Sequence, residues 1–533
     1  MQRQGWIATA LLLGGVLVAS GTAPALGDTP KDTVVMAKQI DDIISLDPGE
    51  AFEFSGGEAD GNVYERLVYY DVKNVSKMFG ALAESYSVGP DGKTYTFKIK
   101  KGRKFASGNP ITADDAAWSL QRAVILNKTP GFILTQFGFT KENVAEHIKA
   151  ADPETLVILT EKQVAPSFLY YCLTANVAAV IDRKAVEPQA KGGDFGNEYL
   201  KTRSAGSGAY VLRGWRANEN YTLEANPNYG GAAAKTKRVI VRHVAEPSTQ
   251  RLLLEKGDVD YARNLTRDQL DALKGDPDVA TQSGPKGALM YFALNQKNTI
   301  LARPEVREAL KWLVDYDAIE KNILSGTFVV HQAFLPNGFL GAIDDKPYKF
   351  DLAKAKELLA KAGMPDGFSS TLDVPGSAPY IDVAQAIQAS FAKAGVKLEI
   401  IPADQKQVIT KYRARNHDTL LLYWGPDYQD PHTNAQTFAA NVDNSDATPT
   451  KTLAWRNSWD IPGLTEKTMA AVAERDTEKR AALYEALQRE HQKISPFIIM
   501  FQQIEVAAHR KSADGFVLGP TNDTNLYGGI VKN

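Results

Sequence analysis

The chain has one cysteine, Cys172, and seven histidines among 533 residues, so neither a disulfide framework nor a cysteine-rich zinc site can be built from it. The histidines, at 147, 243, 331, 417, 432, 491 and 509, show no i, i+4 pair and no H-E-x-x-H pattern, which leaves no histidine-based metal motif. Charge of one sign is also missing. Lys and Arg total 61 against 63 Asp and Glu, a net charge of −2, and nothing in that balance favours a nucleic acid or another polyanion. Apolar residues make up 44% and charged residues 23%, which is the composition of a globular chain and excludes collagen-like or wholly disordered classes. No period of 20–50 residues recurs, so a solenoid or propeller is not expected.

Long apolar runs are absent except at the start. Arg3 followed by the apolar stretch Trp6–Val18 and the small-residue patterns Ala23-Pro24-Ala25 and Ala25-Leu26-Gly27 reads as a secretory signal over residues 1–27. The stretch is shorter than the roughly 20 residues that span a bilayer, so a membrane anchor is the poorer reading. No Cys stands near the cleavage patterns to carry a lipid. The expectation is a soluble periplasmic protein.

Catalytic patterns are missing as well. Gly89-Pro90-Asp91-Gly92-Lys93-Thr94 resembles a phosphate loop, but the required first glycine falls at Ser87 and an alternating strand follows. It reads as a tight turn. Gly206-Ser207-Gly208 lacks the first glycine of a nucleophile elbow, because residue 205 is Ala. The basic cluster Lys98, Lys100, Lys101, Arg103, Lys104 alternates as a wet strand face does. Cys172, within the apolar run Phe168–Leu173, reads as a small core residue. Neither enzymatic activity nor a cofactor is expected.

Thr33–Ala37 reads as a strand, and Lys93–Lys100 alternates polar and apolar residues after a Gly-Pro-Asp-Gly turn, as a half-buried strand does. Thr112 is placed to cap an amphipathic helix bearing Ala116, Leu120, Ala123 and Val124. From about residue 285 strands and helices alternate. The expected elements are a strand at Ala288–Leu294, a long helix at Val306–Leu324 and a helix capped by Asp351 and stopped by Gly363. Further strands are expected at 372–374 and 396–401, with helices at 383–394 and up to Tyr412. Thr419–Trp424 has no polar alternation after Thr419, which implies a strand covered on both faces and an α/β class.

That strand runs into Gly425-Pro426-Asp427-Tyr428-Gln429-Asp430-Pro431. Ligands of α/β sheets bind beyond the carboxyl ends of strands. A carboxylate beside Trp424 and Tyr428 suits a cationic amine, with charge paired to Asp427 and rings covering apolar surface. The same residues also suit a plain turn in which Asp430-Pro431 ends the strand.

Four separated stretches then resemble one family. They are Ala81–Ser85 with Gly92–Phe97, Lys101–Phe105 and Pro110–Asp115; Gly206–Tyr210 with Asn226–Tyr229 and Gly257–Asp260; Val306–Leu310 with Asp315–Ile319 and Gly326; and Trp424–Pro431. Together they are similar to the periplasmic solute-binding proteins of oligopeptide and dipeptide ABC transporters, extracellular solute-binding protein family 5. The resemblance implies a large two-lobe binding protein of type II, closing about a hinge over its ligand. The expected division is a signal peptide at 1–27, a first lobe from 28–56, 200–285 and 505–533, an accessory subdomain at 57–199 and a second α/β lobe at 286–504.

The resemblance further implies a monomer that captures a small ligand, most simply a di- or oligopeptide, and delivers it to an inner-membrane ABC permease. In peptide-binding members the Asp three residues after the strand-end Trp takes the peptide ammonium, which here is Asp427 after Trp424. Tyr423, Trp424 and Gly425 would offer backbone to an extended ligand, Tyr428 would stand beside it, and Ser55-Gly56 would face it from the first lobe. Two features depart from the pattern. Dipeptide-specific members carry an Arg before the helix that here contains Gln385 and Gln388, where this chain has Ile381-Asp382. An Arg found three residues before the Trp in some oligopeptide binders is Leu421 here. A ligand carboxylate would then fall to Arg413 or Arg415. Because the family includes binders of opines, oligosaccharides and metal chelates, a non-peptide ligand is the alternative, with a secreted hydrolase as the reading from another class.

Overall fold

The computed structural model describes residues 29–448 and 451–533; the expected signal segment lies outside them. The dominant element is a mixed 11-stranded sheet. Two long antiparallel strands run through it, Val279–Leu294 and Phe497–Arg510, and each belongs to both halves of the protein. On one side Thr33–Lys38 pairs in parallel with Arg238–His243 and Tyr261–Ala262, and Asn220–Ala225 and Tyr210–Arg216 extend the sheet. On the other side Thr419–Trp424 pairs antiparallel with Val279–Leu294 and in parallel with Ser369–Pro375, which pairs in turn with Lys397–Ala403. The second half is a βαβ array whose helices cover both sheet faces. Leu372, Val374, Leu420 and Leu421 are accordingly buried, as an unalternating apolar strand requires.

A separate four-stranded sheet, with Ala83–Val88, Thr94–Ile99, Thr155–Leu159 and Ile148–Asp152 side by side, carries the helix Ala113–Leu126. Thr112 and Asp115 form a reciprocal capping box at the start of that helix. Cys172 is fully buried in this accessory core beside Phe168 and Leu169. The helix Phe54–Val63 runs across the boundary expected at 56/57. Its Ala59 and Val63, with Tyr64, pack in the core of the first lobe rather than in the accessory one.

Two elements differ from the sequence reading. The helix expected over 306–324 stops at Leu313. Val314 is extended, and the Asp315 side chain accepts the Ala318 N–H, capping a new turn at Tyr316–Ile319 that continues into a π turn over Glu320–Leu324. An Asp that bonds its own backbone competes with helix continuation. The strand expected at 288–294 begins nine residues earlier, at Val279. Its first part lies in the other half with alternating exposure, and Gly284-Pro285 interrupts the apolar pattern between the parts. Ladder pairing with Phe497–Arg510 breaks between Pro285 and Leu289.

This break is where the two halves join, and buried charge collects beside it. Glu58, from the helix Phe54–Val63, accepts from Lys38 Nζ at 2.6 Å, Arg263 Nη1 at 2.7 Å and Tyr527 Oη at 2.6 Å. Arg263 also pairs with Glu505 of the second crossing strand, and Glu505 with Lys286 of the first at 2.8 Å. Lys286 Nζ donates further to Gly519 O at 2.6 Å and Asn525 Oδ1 at 2.8 Å. Burial favours the neutral acids, yet the Arg263 and Lys38 cations hold the Glu58 carboxyl far below its ordinary range, and Lys286 and Arg263 do the same for Glu505.

Removing one member of such a network strands the others without water. Glu58→Gln is expected to lower the unfolding free energy by about 3–5 kcal/mol, read from denaturant titration followed by circular dichroism. A loss under about 1 kcal/mol would mean that water replaces the carboxylate there.

Candidate functional site

The strand Thr419–Trp424 ends at the seam between the halves. Its pairing with Val279–Leu294 continues to Trp424, whereas its pairing with Ser369–Pro375 stops at Leu420. From Leu421 onward one strand edge is therefore without a ladder neighbour. Tyr423 stacks on Tyr380 with ring centroids 5.4 Å apart and planes at 18°, and Gln405 Nε2 donates to its hydroxyl at 3.3 Å. Trp424 is half-buried and meets the edge of Phe438 at 5.7 Å.

The first lobe meets this strand end through Phe54. Its ring lies 6.2 Å from Tyr423, and a Cβ added at Gly425 would sit 3.7 Å from its Cζ. Phe54 is 44% exposed beside this strand end. The sequence reading missed it; an aromatic directly before Ser55-Gly56 was the available signal. Ser55 itself is buried, with its N–H donated to Asp42 Oδ2 at 2.9 Å and its hydroxyl to Gln39 O at 3.1 Å. Gly56 is buried too, and a Cβ there would approach Ser45 O to 3.3 Å. These two residues shape the loop that presents Phe54.

Loop 425–431 divides its side chains between three tasks. Pro426 covers Gly287 of the first crossing strand so closely that a Cβ at Gly287 would fall 2.6 Å from Pro426 Cγ. Tyr428, expected beside the ligand, has its ring in the accessory core, 5.9 Å from Phe168, and is 3% exposed. Asp430 accepts the His432 N–H at 2.9 Å, as a turn residue does. It also receives Arg480 Nη1 and Nη2 at 2.7 Å each, with both side chains wholly buried. Arg480 donates onward to Ser167 Oγ of the accessory unit at 3.1 Å. A partner fifty residues away in sequence leaves no local signal.

Asp427 differs from its neighbours. Its backbone N–H donates to Thr433 Oγ1 at 3.1 Å, but among the described residues its carboxylate has neither a hydrogen-bond donor nor an ion-pair partner. Burial pushes its pKa up to about 7, against a weaker opposing pull from Arg456. The side chain is half-buried, and a carboxylate partly withdrawn from water without a partner is costly in the free protein and favourable toward an incoming cation. Of the cations expected for a ligand carboxylate, Arg415 is committed to Ser458, Asn444 and Asp446, and Arg413 is exposed. No group of His, Cys, Asp or Glu suited to a metal ion occurs among the described residues.

Comparison with known proteins agrees with this architecture. Residues 77–446 match the model for bacterial extracellular solute-binding proteins, family 5, and the chain belongs to that family. It is 27% identical over 509 residues to the probable D,D-dipeptide-binding periplasmic protein DdpA of Escherichia coli K12, covering 95% of each chain. It is also 27% identical over 516 residues to the glutathione-binding protein GsiB of the same strain, covering 95% of this chain and 96% of that one. Among solved structures, the Helicobacter pylori periplasmic binding protein DppA in complex with the peptide STSA superposes with a TM-score of 0.78 at 23% identity, over 94% of this chain and 98% of that one. The A. tumefaciens binding protein MoaA in complex with mannopinic acid does so with a TM-score of 0.78 at 22% identity, over 95% and 100%. The fold is the two-lobe type II binding-protein fold. The chain is the substrate-binding component of an ABC importer, a transport protein rather than an enzyme. No helix among the described residues is long and apolar enough to cross a membrane.

Asp430 and Asp427 should part company on substitution. Asp430→Asn leaves the Arg480 guanidinium buried without its counter-charge, and stability should fall by about 3–5 kcal/mol. Asp427→Asn removes an unpaired buried charge, and the ligand-free protein at pH 8 should gain at least about 1 kcal/mol. Thermal unfolding of both variants beside the parent checks this; a destabilised Asp427→Asn protein would mean that its carboxylate has a partner after all.

Proposed function

We propose that this protein captures a di- or oligopeptide, as a monomer in the periplasm, and that Asp427 binds the ligand's ammonium. The observation that carries this reading is the half-buried Asp427 carboxylate, just beyond the end of the strand Thr419–Trp424, with no partner among the described residues. The strand edge without a neighbour beyond Leu420 supports an extended ligand, which would add to the sheet along Tyr423, Trp424 and Gly425 by main-chain hydrogen bonds. Phe54 from one lobe and Tyr423 and Trp424 from the other would close over its apolar surface. Ser55 and Gly56, buried in the first lobe, support Phe54 from behind, and Tyr428 anchors the loop in the accessory core. DdpA and GsiB carry peptide-ligand names, and two of the similar structures hold a peptide and an opine; all four ligand classes bear charged groups that a binding cleft must pair.

The lobes proposed for this motion are residues 28–65, 179–285 and 505–533 for the first, and 286–504 for the second, with the accessory unit at 66–178. The hydrophobic cores support this division, because Tyr64, Ala179, Ile181 and Val186 pack with the first lobe. The crossing strands, at the pairing break between Pro285 and Leu289, supply the hinge.

Native mass spectrometry of protein purified without denaturation identifies the retained ligand. With that ligand, Asp427→Ala should weaken binding a hundredfold to several thousandfold, following the roughly 3–5 kcal/mol cost of a stranded charge. Asp427→Asn should lose most of the same energy. Calorimetry measures both, and an Asp427→Asn protein that binds within about threefold of the parent would turn the assignment toward a neutral sugar or a chelate.

Binding should also depend on pH with a defined sign. In the free protein Asp427 is protonated below about pH 7, whereas an ammonium ligand requires the carboxylate. Binding below that pH therefore releases a proton, and affinity should rise about tenfold per pH unit from 5 to 7, then level off. The slope should vanish in Asp427→Asn. Calorimetry in buffers of different ionisation heat counts the proton; no release at pH 6 would contradict the reading.

A further inference from the structure

The turn Pro336-Asn337-Gly338-Phe339 of the second lobe lies against the break between the crossing strands. The Phe339 N–H donates to Pro336 O at 3.2 Å, and Gly338 holds a φ of +99°, as the third position of a type II turn requires. Pro336 and Phe339 are buried, and the two residues between them are exposed. The Asn337 N–H donates to Gln502 Oε1 at 2.9 Å, and Gln502 Nε2 donates to Lys286 O at 2.9 Å. A Cβ added at Gly287 would lie 3.8 Å from Phe339 Cε2. The backbone of this turn therefore braces both crossing strands beside the place where their ladder is interrupted.

The Asn337 side chain takes no part in the brace. Among the described residues its amide makes no hydrogen bond, and the Gly338 N–H has no acceptor. A Cβ built on Gly338 would meet nothing within 4 Å, so the space around the Gly338 backbone is open. This is the only Asn-Gly step in the sequence. The two Asn-Ser steps are held quite differently. Asn444 Oδ1 accepts from Arg415 Nη2 at 2.7 Å, and Asn457 is wholly buried, with its amide donated to Tyr412 Oη at 2.8 Å.

We propose that Asn337 is a site of spontaneous covalent modification, deamidation through a cyclic imide, and that the product releases the brace on the crossing strands. The Gly338 amide nitrogen gives up its proton to water or hydroxide and attacks Asn337 Cγ. A new C–N bond closes the imide ring, the bond from Cγ to the side-chain nitrogen breaks, and that nitrogen leaves as ammonia. Water then opens the ring at either carbonyl, giving aspartate or isoaspartate. The balance is one water in and one ammonia out, with no oxidant or cofactor. Glycine permits the attack because no Cβ crowds its nitrogen and its backbone can leave the turn geometry at little cost. Isoaspartate routes the main chain through an additional methylene. The Asn337 and Phe339 N–H groups then lose the spacing that reaches Gln502 and Pro336 together.

The folded protein is aged in mildly alkaline buffer beside the same chain unfolded in urea, and both are digested for peptide mapping by mass spectrometry. In the folded protein, acid should accumulate at residue 337 at a rate within about tenfold of that in the unfolded chain, because an exposed turn needs almost no opening. Asn444 and Asn457 should stay amides in the folded protein. Protection of Asn337 beyond that factor, or equal reaction at Asn444 or Asn457 in the folded state, would overturn the proposal. Chromatography separates the aspartate and isoaspartate peptides, and thermal unfolding of the aged protein should weaken in step with the isoaspartate fraction. Asn337→Gln keeps the backbone and forms the larger ring slowly, so it should unfold like the fresh parent both before and after ageing. Asn337→Asp supplies the charge on a normal main chain and should also unfold like the fresh parent. An aged parent that unfolds like the fresh one would show that the turn braces nothing. A loss reproduced by Asn337→Asp would assign the effect to charge and overturn the isoaspartate account.

Discussion

Two strands pass between the lobes of this protein, and the geometry of everything else hangs on charges buried where they cross. Glu58 collects Lys38, Arg263 and Tyr527, and Glu505 ties Arg263 to Lys286. The network draws on the helix Phe54–Val63, the ends of the neighbouring first-lobe strands Thr33–Lys38 and Tyr261–Ala262, both crossing strands and the C-terminal segment. Such a cluster is a poor source of net stability compared with apolar packing, because each charge must first leave water. Its directional bonds do something that packing cannot. They fix one arrangement of six separate chain segments at the point where the ladder between the strands is interrupted.

The cleft follows the opposite rule. At the hinge Glu58, Glu505, Arg263 and Lys286 answer one another's charge; at the end of the strand Thr419–Trp424, among the described residues, the Asp427 carboxylate has no such partner. Strain of this kind persists only where the surrounding fold holds it in place. Here the fold does so with a sheet buried on both faces, a Pro426 wedged over Gly287 and an Asp430 locked to Arg480.

Much of the architecture was legible in the sequence. The unalternating strand at 419–424, the capping residues Thr112 and Asp351 and the turn at 89–92 act locally, so their residue types suffice to place them. The interruption after Leu313 was not read, because Asp315 can cap a helix or ride within one and only its bond to Ala318 decides. The length of the strand Val279–Leu294 was hidden by a change of environment midway, from a half-exposed sheet to a doubly covered one. At the site, Asp427 could be singled out by its place after a strand-end Trp. The separate roles of Tyr428 and Asp430, one and three residues further along the same loop, could not, since both depend on partners in Phe168 and Arg480 that are remote in sequence. Phe54 was missed although it stands directly before Ser55-Gly56, because its ring partner Tyr423 lies in the other lobe.

The placement of Tyr428 has a consequence for timing. Its ring belongs to the second lobe by sequence yet is buried in the accessory core against Phe168, while Arg480 reaches Ser167 and the Ala165 N–H reaches Val472 O at 3.4 Å. Any opening that carries loop 425–431 away from the accessory unit must draw this ring into water, at a cost of about 2–3 kcal/mol. That cost opposes opening with or without a solute inside, so it lengthens residence of the captured solute without altering which solute is chosen. The accessory unit thereby acts as a latch on departure, and a membrane partner that pries Tyr428 loose would control when the cargo leaves.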